Sequence, residues 1–263
     1  MIVSRPKTAV VYTCAHADPS VSNERFEWLG KLILDIKPDM VFDLGDGADM
    51  RSLNSFDTRR PEALVAENYE RDIQCYLDAQ EKIRDPYIKS KRKRPTYIGF
   101  EGNHEQRIKK AISIDPRLEG KKYGVSFGHL ETDNFFKEYH PYEHSAPSIA
   151  SYDGVHYAHF FGAGAYGRPI SGEHHAGNMV KKLGASATCG HSHKLSYYHK
   201  AESFPYPTNG LVAGCFKGKE ESWAGQANRE WSSGVCIKTN LRHGQYDFRW
   251  VSLDSLRKEY GNG

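Results

Sequence analysis

The chain has 263 residues, with 36 Lys and Arg against 33 Asp and Glu and a formal charge of +3. Charged residues make up 26% and hydrophobic ones 38%, with Gly and Pro scattered, which fits a globular chain with a full core and excludes a disordered or fibrous one. No apolar stretch approaches the roughly 20 residues of a membrane-spanning helix, and residues 1–7 lack the apolar centre of a signal peptide. The five cysteines (14, 75, 189, 215 and 236) are too dispersed for a disulfide framework or a zinc ribbon. Together these predict a cytoplasmic chain with reduced thiols and no membrane partner.

Residues 8–13 are β-branched and aromatic and read as a buried strand that breaks into Thr13-Cys14-Ala15-His16-Ala17-Asp18. Phe26, Leu29, Ile33 and Ile36 recur at helical spacing, so a helix spans 23–36 with Ser22 as its N-cap and Lys37-Pro38-Asp39 as its end. A second strand covers 40–44. This βαβ pattern predicts parallel neighbours with their functional loops at one carboxyl edge. Residues 51–95 read as a mostly helical insertion whose apolar face carries Ala63, Leu64, Val65, Tyr69, Ile73, Tyr76 and Leu77. A third strand over 95–100 leads into Glu101-Gly102-Asn103-His104-Glu105, after which residues 106–150 begin as helix and lose their periodicity. Further strands are read at 154–161, 185–189, 211–216, 233–238 and 245–251, with a glycine-rich loop at 162–172 and a helix near 174–184. With no repeat and no linker, one domain over 1–263 is expected.

Four polar clusters follow directly on strands: Cys14-Ala15-His16, Gly45-Asp46-Gly47-Ala48-Asp49, Gly102-Asn103-His104-Glu105 and Gly190-His191-Ser192-His193. Taken singly, each has an ordinary reading as a turn, a helix cap or an exposed loop. Together they would converge on one edge of the sheet. Their residue types are those of divalent-cation ligands: a carboxylate that can bridge, a neutral amide oxygen and imidazole nitrogens.

In this order the clusters resemble the calcineurin-like metallophosphoesterases, whose pattern is D-x-H, G-D-x-x-D, G-N-H-[D/E], a strand-end histidine and G-H-x-H. The resemblance spans roughly residues 8–250, and short phage and bacterial members look nearest in length. It implies an α/β fold, a four-layer αββα sandwich of two mixed β-sheets flanked by helices. It also implies a phosphoesterase that hydrolyses a phosphate monoester or diester, with a nuclease or a catalytically weakened binding protein as the alternatives. Two divalent cations are implied, Mn²⁺ first and Zn²⁺, Fe or Mg²⁺ otherwise, clamping a phosphoryl group and activating water for in-line attack.

Carried over by position, one cation would take His16, Asp46, His193 and the residue at position 14. The other would take Asp46, Asn103, His191 and the strand-end histidine, read as His159 with His156 as the alternative. His104 would stand beside the leaving oxygen, while Asp49 and Glu105 would orient histidines and close hydrogen bonds. Arg168 is a candidate for a substrate phosphate. The substrate would be a phosphorylated small molecule, a phosphoprotein or a nucleic acid, in the host cytoplasm if the chain is phage-encoded, with no obligate protein partner.

Cys14 stands where the family has aspartate. A thiolate is a softer ligand than a carboxylate, so three outcomes are open: thiolate ligation, a buried thiol that leaves the first cation weak or absent, or Asp18 reaching in. The aromatic cluster Phe135, Phe136, Tyr139 and Tyr142 is expected to pack in the core. The basic run Lys89, Lys91, Arg92, Lys93, Arg94 enters its strand from the edge opposite the motifs and is read as a solvated face.

Overall fold

A computed structural model describes residues 5–54, 68–143, 146–201 and 206–261. In chain order its elements begin with β1 (Lys7–Tyr12), α1 (Glu24–Ile36), β2 (Met40–Asp43), α2 (Tyr69–Ser90), β3 (Thr96–Phe100), α3 (Gln106–Ile114) and α4 (Thr132–Phe135). There follow β4 (Glu138–His140), β5 (Tyr142–Glu143), β6 (Ala146–Pro147), β7 (Ala150–Tyr152), β8 (Val155–Tyr157), β9 (Gly162–Ala163) and β10 (Arg168–Pro169). The chain continues through α5 (His175–Leu183), β11 (Ala187–Cys189), β12 (Leu195–Lys200), β13 (Thr208–Ala213), β14 (Gly234–Arg242), β15 (Gln245–Ser252) and α6 (Leu253–Tyr260).

Alternation along β1 decides the layering. Ala9 and Val11 turn to one face, where they meet Phe42, Ile98, Val155, Tyr157 and Leu211 in a core between two sheets. Val10 and Tyr12 turn to the other and meet Phe26, Leu29 and Ile33 of α1 together with Ile73, Tyr76 and Ile83 of α2. The first sheet runs β15-β14-β1-β2-β3-β4, with β1 to β4 parallel and β14 and β15 antiparallel. The second runs β12-β13-β11-β8-β7, with β13, β11 and β8 parallel. Helix α5 covers the outer face of the second sheet through Ala176, Met179 and Val180 against Ala187 and Val212. Layers therefore succeed one another as helix, sheet, sheet, helix, as the sequence predicts. Phe42 and Tyr157 stack across the middle with ring centroids 4.1 Å apart.

Several elements differ from their sequence reading. Helix α2 packs on α1 within the core, where a Cβ on Gly30 would lie 2.6 Å from the Ile83 carbonyl; the predicted face at Ala63, Leu64 and Val65 lies outside the described residues. Asn23 is the residue at the start of α1, its amide turned to the Cys75 carbonyl at 2.8 Å and to Asp78, while Ser22 Oγ accepts from the Glu24 N–H at 3.2 Å. The strand read over 154–161 ends at Tyr157, so His159 stands in the loop beyond. Strand β12 and helix α6 had no predicted counterpart; most of β12 is exposed and carries no buried alternation. Phe136 and Tyr139 pack in the outer core, and the Arg84 guanidinium lies 4.4 Å over Tyr97 and 5.1 Å over Phe136.

Lys238 of β14 is fully buried between the sheets, and its amine donates to Thr188 Oγ1 at 2.5 Å and Tyr157 Oη at 3.2 Å. Burial holds its pKa well below the ordinary lysine range. The unfolded chain therefore binds a proton that the folded chain holds less readily, and this cost disappears as pH rises towards the unfolded lysine value. Lys238→Met is expected to raise stability at pH 7 by of order 1 kcal/mol. The margin over wild type, measured as Tm, should shrink between pH 7 and pH 10; a margin independent of pH would contradict the assignment.

Candidate metal centre

The carboxyl ends of β1, β2 and β3 from one sheet meet those of β8, β11 and β13 from the other. Backbone bonds tie their loops directly: Cys14 N–H to the Gly45 carbonyl at 2.9 Å, His16 N–H to Asp46 at 2.9 Å, Gly190 N–H to His159 at 3.0 Å and Phe216 N–H to Cys14 at 3.2 Å. Two glycines permit this approach. A Cβ on Gly102 would fall 2.2 Å from the Asp46 nitrogen, and one on Gly190 would fall 2.0 Å from Thr13 Oγ1. Gly45, at φ +91°, supplies the sharp turn before Asp46.

The structure brings Cys14, His16, Asp46, Asn103, His104, His159, His191 and His193 to this edge. His159 Nδ1 is 2.7 Å from the Leu44 carbonyl, which fixes a proton there and, in the neutral ring, leaves the Nε2 lone pair free for a ligand bond. That nitrogen lies 3.1 Å from Asn103 Oδ1, 3.2 Å from His191 Nδ1 and 3.3 Å from Asp46 Oδ2. Likewise Asp49 Oδ1 takes the Nδ1 proton of His16 at 2.9 Å, and His16 Nε2 faces His193 Nε2 at 3.2 Å. Two groups of potential ligand atoms thus crowd together. Donors about 2.0–2.2 Å from one ion stand roughly 3.0–3.4 Å apart, so both groups fit a divalent cation. Cys14 Sγ belongs to both, lying within 4.8 Å of ligand atoms of His16 and His193 and of Asp46 and His159.

The backbone is strained to hold them. Cys14, His16, Asp46, His191 and His193 all have positive φ, between 45° and 67°. Each such non-glycine residue costs about 1–3 kcal/mol, a concentration that marks a functional constraint.

Electrostatics agree with the donor set. Burial pushes His16 down to about 3, His193 to about 2 and His191 to about 4, so these rings keep free lone pairs at neutral pH. For His159 burial acts in the same direction but the Asp46 carboxylate outweighs it and raises the pKa. Asp46 is held well below the carboxylate range by His159 and His104 despite its burial. Cys14 is pushed up by burial and by the charge of Asp46.

Asp49 joins His16 to His104, whose Nδ1 lies 3.1 Å from its Oδ1 and 2.7 Å from its carbonyl oxygen. Glu105 closes hydrogen bonds as expected, accepting from the backbone N–H groups of Asp46, Ala48 and Gly102 at 2.9–3.0 Å and clamping the β2 loop to the β3 loop. Burial and the neighbouring Asp46 charge push Glu105 up to about 7.

Arg168 requires a correction, because it is exposed on β10 and does not line the cavity of about 370 Å³ at the centre. The cations on that cavity are Arg51, Arg107 and Lys217, accompanied by Asn54 and Glu221. Lys217 was detectable from the rule that found the motifs, since it too follows a parallel strand, β13, at its carboxyl end; Arg107 stands one helical turn after His104. Asp18 does not reach the centre, for Lys219 Nζ takes its Oδ2 at 2.5 Å and Ser20 its Oδ1. His156 pairs with Ser151 Oγ away from the site. The basic run meets Arg5, Lys37 and Lys137 in a groove beside the amino end of β3, clear of the motif edge.

A further residue escaped the sequence reading entirely. Arg25 of α1 is buried, and its guanidinium donates to the carbonyls of Ala15, His16, Ser22 and Phe216 at 2.8–3.3 Å. It thereby holds the β1 loop to the β13 loop.

No protein-family model matches the sequence, and no curated protein matches it. Among solved structures the chain is similar to the crystal structure of TT1561 of Thermus thermophilus, at 10% identity and TM-score 0.37, covering 94% of this chain and 99% of that one. It is also similar to the crystal structure of Chaetomium thermophilum Vps29, at 11% identity and TM-score 0.37, covering 93% and 96% respectively. The chemistry of the site rests on this chain's own residues, in the motif order that resembles the calcineurin-like metallophosphoesterases.

Asp49→Asn tests the orienting role, because an amide no longer fixes the His16 tautomer as the carboxylate does. Zn²⁺ affinity measured by calorimetry is expected to fall about 10- to 100-fold; an unchanged affinity would contradict that role.

Proposed function

We propose that this chain is a metal-dependent phosphoesterase acting at the cavity bounded by His16, Asp46, Asn103, His104, His191 and His193. The observation that carries the reading is the convergence of His159 Nε2, Asn103 Oδ1, His191 Nδ1 and Asp46 Oδ2, acceptors that crowd within 2.9–3.3 Å contacts beside His104. The residues that would hold one cation are Asp46, Asn103, His159 and His191, and those that would hold a second are His16, His193 and Cys14. Divalent cations bound there supply Lewis acidity to a phosphoryl group and its attacking water.

The chain's own groups do the rest. His104 is fixed at Nδ1 by Asp49, and its Nε2 lies 3.3 Å from Arg107 Nη2. A phosphoryl oxygen approaching this pair would displace the contact between them, meeting the arginine's positive charge beside an imidazole whose Nε2 is then free to exchange a proton. Arg107 itself is anchored on the Asp49 and Met50 carbonyls, so its reach is set before substrate arrives. Arg51 also stands on the cavity wall, where its charge favours an anionic substrate, whereas Lys217 is paired with Glu221 at 2.7 Å. The His104 backbone N–H donates to Asp46 Oδ1 at 2.8 Å and holds the carboxylate in place. The reacting group is a phosphate monoester or diester, carried by a small molecule, a phosphoprotein or a nucleic acid.

Hydrolysis of p-nitrophenyl phosphate and of bis(p-nitrophenyl) phosphate with added Mn²⁺ or Zn²⁺ tests this reading. Wild type is expected to turn over at least one of them, and His104→Ala to lose about 10²- to 10⁴-fold in rate with unchanged metal content. A preference for the diester would place the activity with nucleases. Background rates on both, with cations bound, would overturn the enzymatic reading.

A further inference from the structure

The position where the chain departs from its pattern lies at the middle of the acceptor groups. Cys14 is fully buried at φ 47°, a backbone conformation uncommon for cysteine, directly before a loop that returns to the same cavity. Its sulfur accepts a hydrogen bond from the His191 N–H at 3.2 Å and lies 3.3 Å from Thr13 Oγ1. It lies within 4.8 Å of ligand atoms of His16 and His193 in one group and of Asp46 and His159 in another. A packing cysteine needs none of this. The neighbouring rings make an independent case for a cation, because His16 Nε2 and His193 Nε2 lie 3.2 Å apart in a buried setting, with both nitrogens within reach of one ion.

We infer that Cys14 ligates a divalent cation through its sulfur and tunes the centre towards borderline cations such as Zn²⁺ and Fe²⁺, away from Mn²⁺ and Mg²⁺. This rests on the metal-centre reading above. On binding, the S–H bond breaks, a sulfur–metal bond forms and the proton leaves to solvent, with no change of oxidation state. The imidazole donors suit the same cations, while the His191 amide hydrogen bond stabilises negative charge on sulfur. The hard donors Asp46 and Asn103 gather instead around His159 Nε2.

The test uses the full chain stripped of metal by a chelator and titrated with Co²⁺. Visible ligand-field bands report cobalt binding by any donor, whereas a near-ultraviolet sulfur-to-cobalt charge-transfer band reports thiolate ligation alone. Wild type is expected to develop both, with Zn²⁺ bleaching both by competition. Cys14→Ser and Cys14→Asp are expected to keep the visible bands and lose the near-ultraviolet one, and Cys14→Asp to bind Mn²⁺ at least about tenfold more tightly than wild type. Visible bands without the charge-transfer band in wild type would overturn the inference even if neither variant folds. So would a charge-transfer band that persists in Cys14→Ser, or an unchanged Mn²⁺ affinity in Cys14→Asp. Absence of cobalt binding would overturn the metal-centre reading as well. Because the readout needs no turnover, a chain that shows the band and hydrolyses no ester keeps the thiolate and loses the phosphoesterase.

Discussion

Side-chain nitrogens and oxygens of metal-ligand type, crowded against one another at one edge, are the constraint on which the rest of this molecule turns. Such groups are costly to bury unless they are hydrogen-bonded or share a cation. At the carboxyl edge of the two sheets His159, Asn103, His191 and Asp46 crowd in one group, and His16 and His193 in another. The surrounding structure is devoted to keeping them there. Glu105 accepts three backbone N–H groups and locks the β2 loop against the β3 loop, Arg25 collects four carbonyls, chiefly from the β1 and β13 loops, and Gly102 and Gly190 allow approaches that no side chain would permit.

The double sheet makes the convergence possible. Parallel strands β1, β2 and β3 deliver three loops to one edge, and β8, β11 and β13 deliver three more from the facing sheet. The stacked core of Phe42 on Tyr157 fixes the spacing between sheets. The opposite edge carries the basic groove with Lys93, Arg94 and Lys137, so the two ends of the β3 strand differ sharply in chemistry.

Much of this was legible in the sequence, for identifiable reasons. Strand β1, helix α1 and strand β2 carry strong periodicity and turn residues, and their predicted limits match to within a residue or so. The motif residues were legible because each follows an apolar strand, and His159 over His156 because it closes its run before a loop. Arg107 and Lys217 were missed because a lone cation near a motif has no pattern, although Lys217 obeys the strand-end rule. Arg25 was invisible because its role depends on backbone carbonyls that only the fold gathers around it, those of Ala15 and His16 from the β1 loop and of Phe216 from the β13 loop. Arg168 failed because nearness in sequence to the His159 loop said nothing about which way the β9–β10 ribbon points. Glu105 closes hydrogen bonds as its motif position implies, but to the backbone N–H groups of Asp46, Ala48 and Gly102.

The most direct measurement is anomalous X-ray diffraction from crystals of protein purified without added metal, collected alongside elemental analysis. The expected result is anomalous density among Asp46, Asn103, His159 and His191, and a second peak bounded by Cys14, His16 and His193. Crystals in which His16 and His193 still face each other at 3.2 Å with no anomalous peak in either group, even after soaking in Zn²⁺, would contradict the metal centre itself.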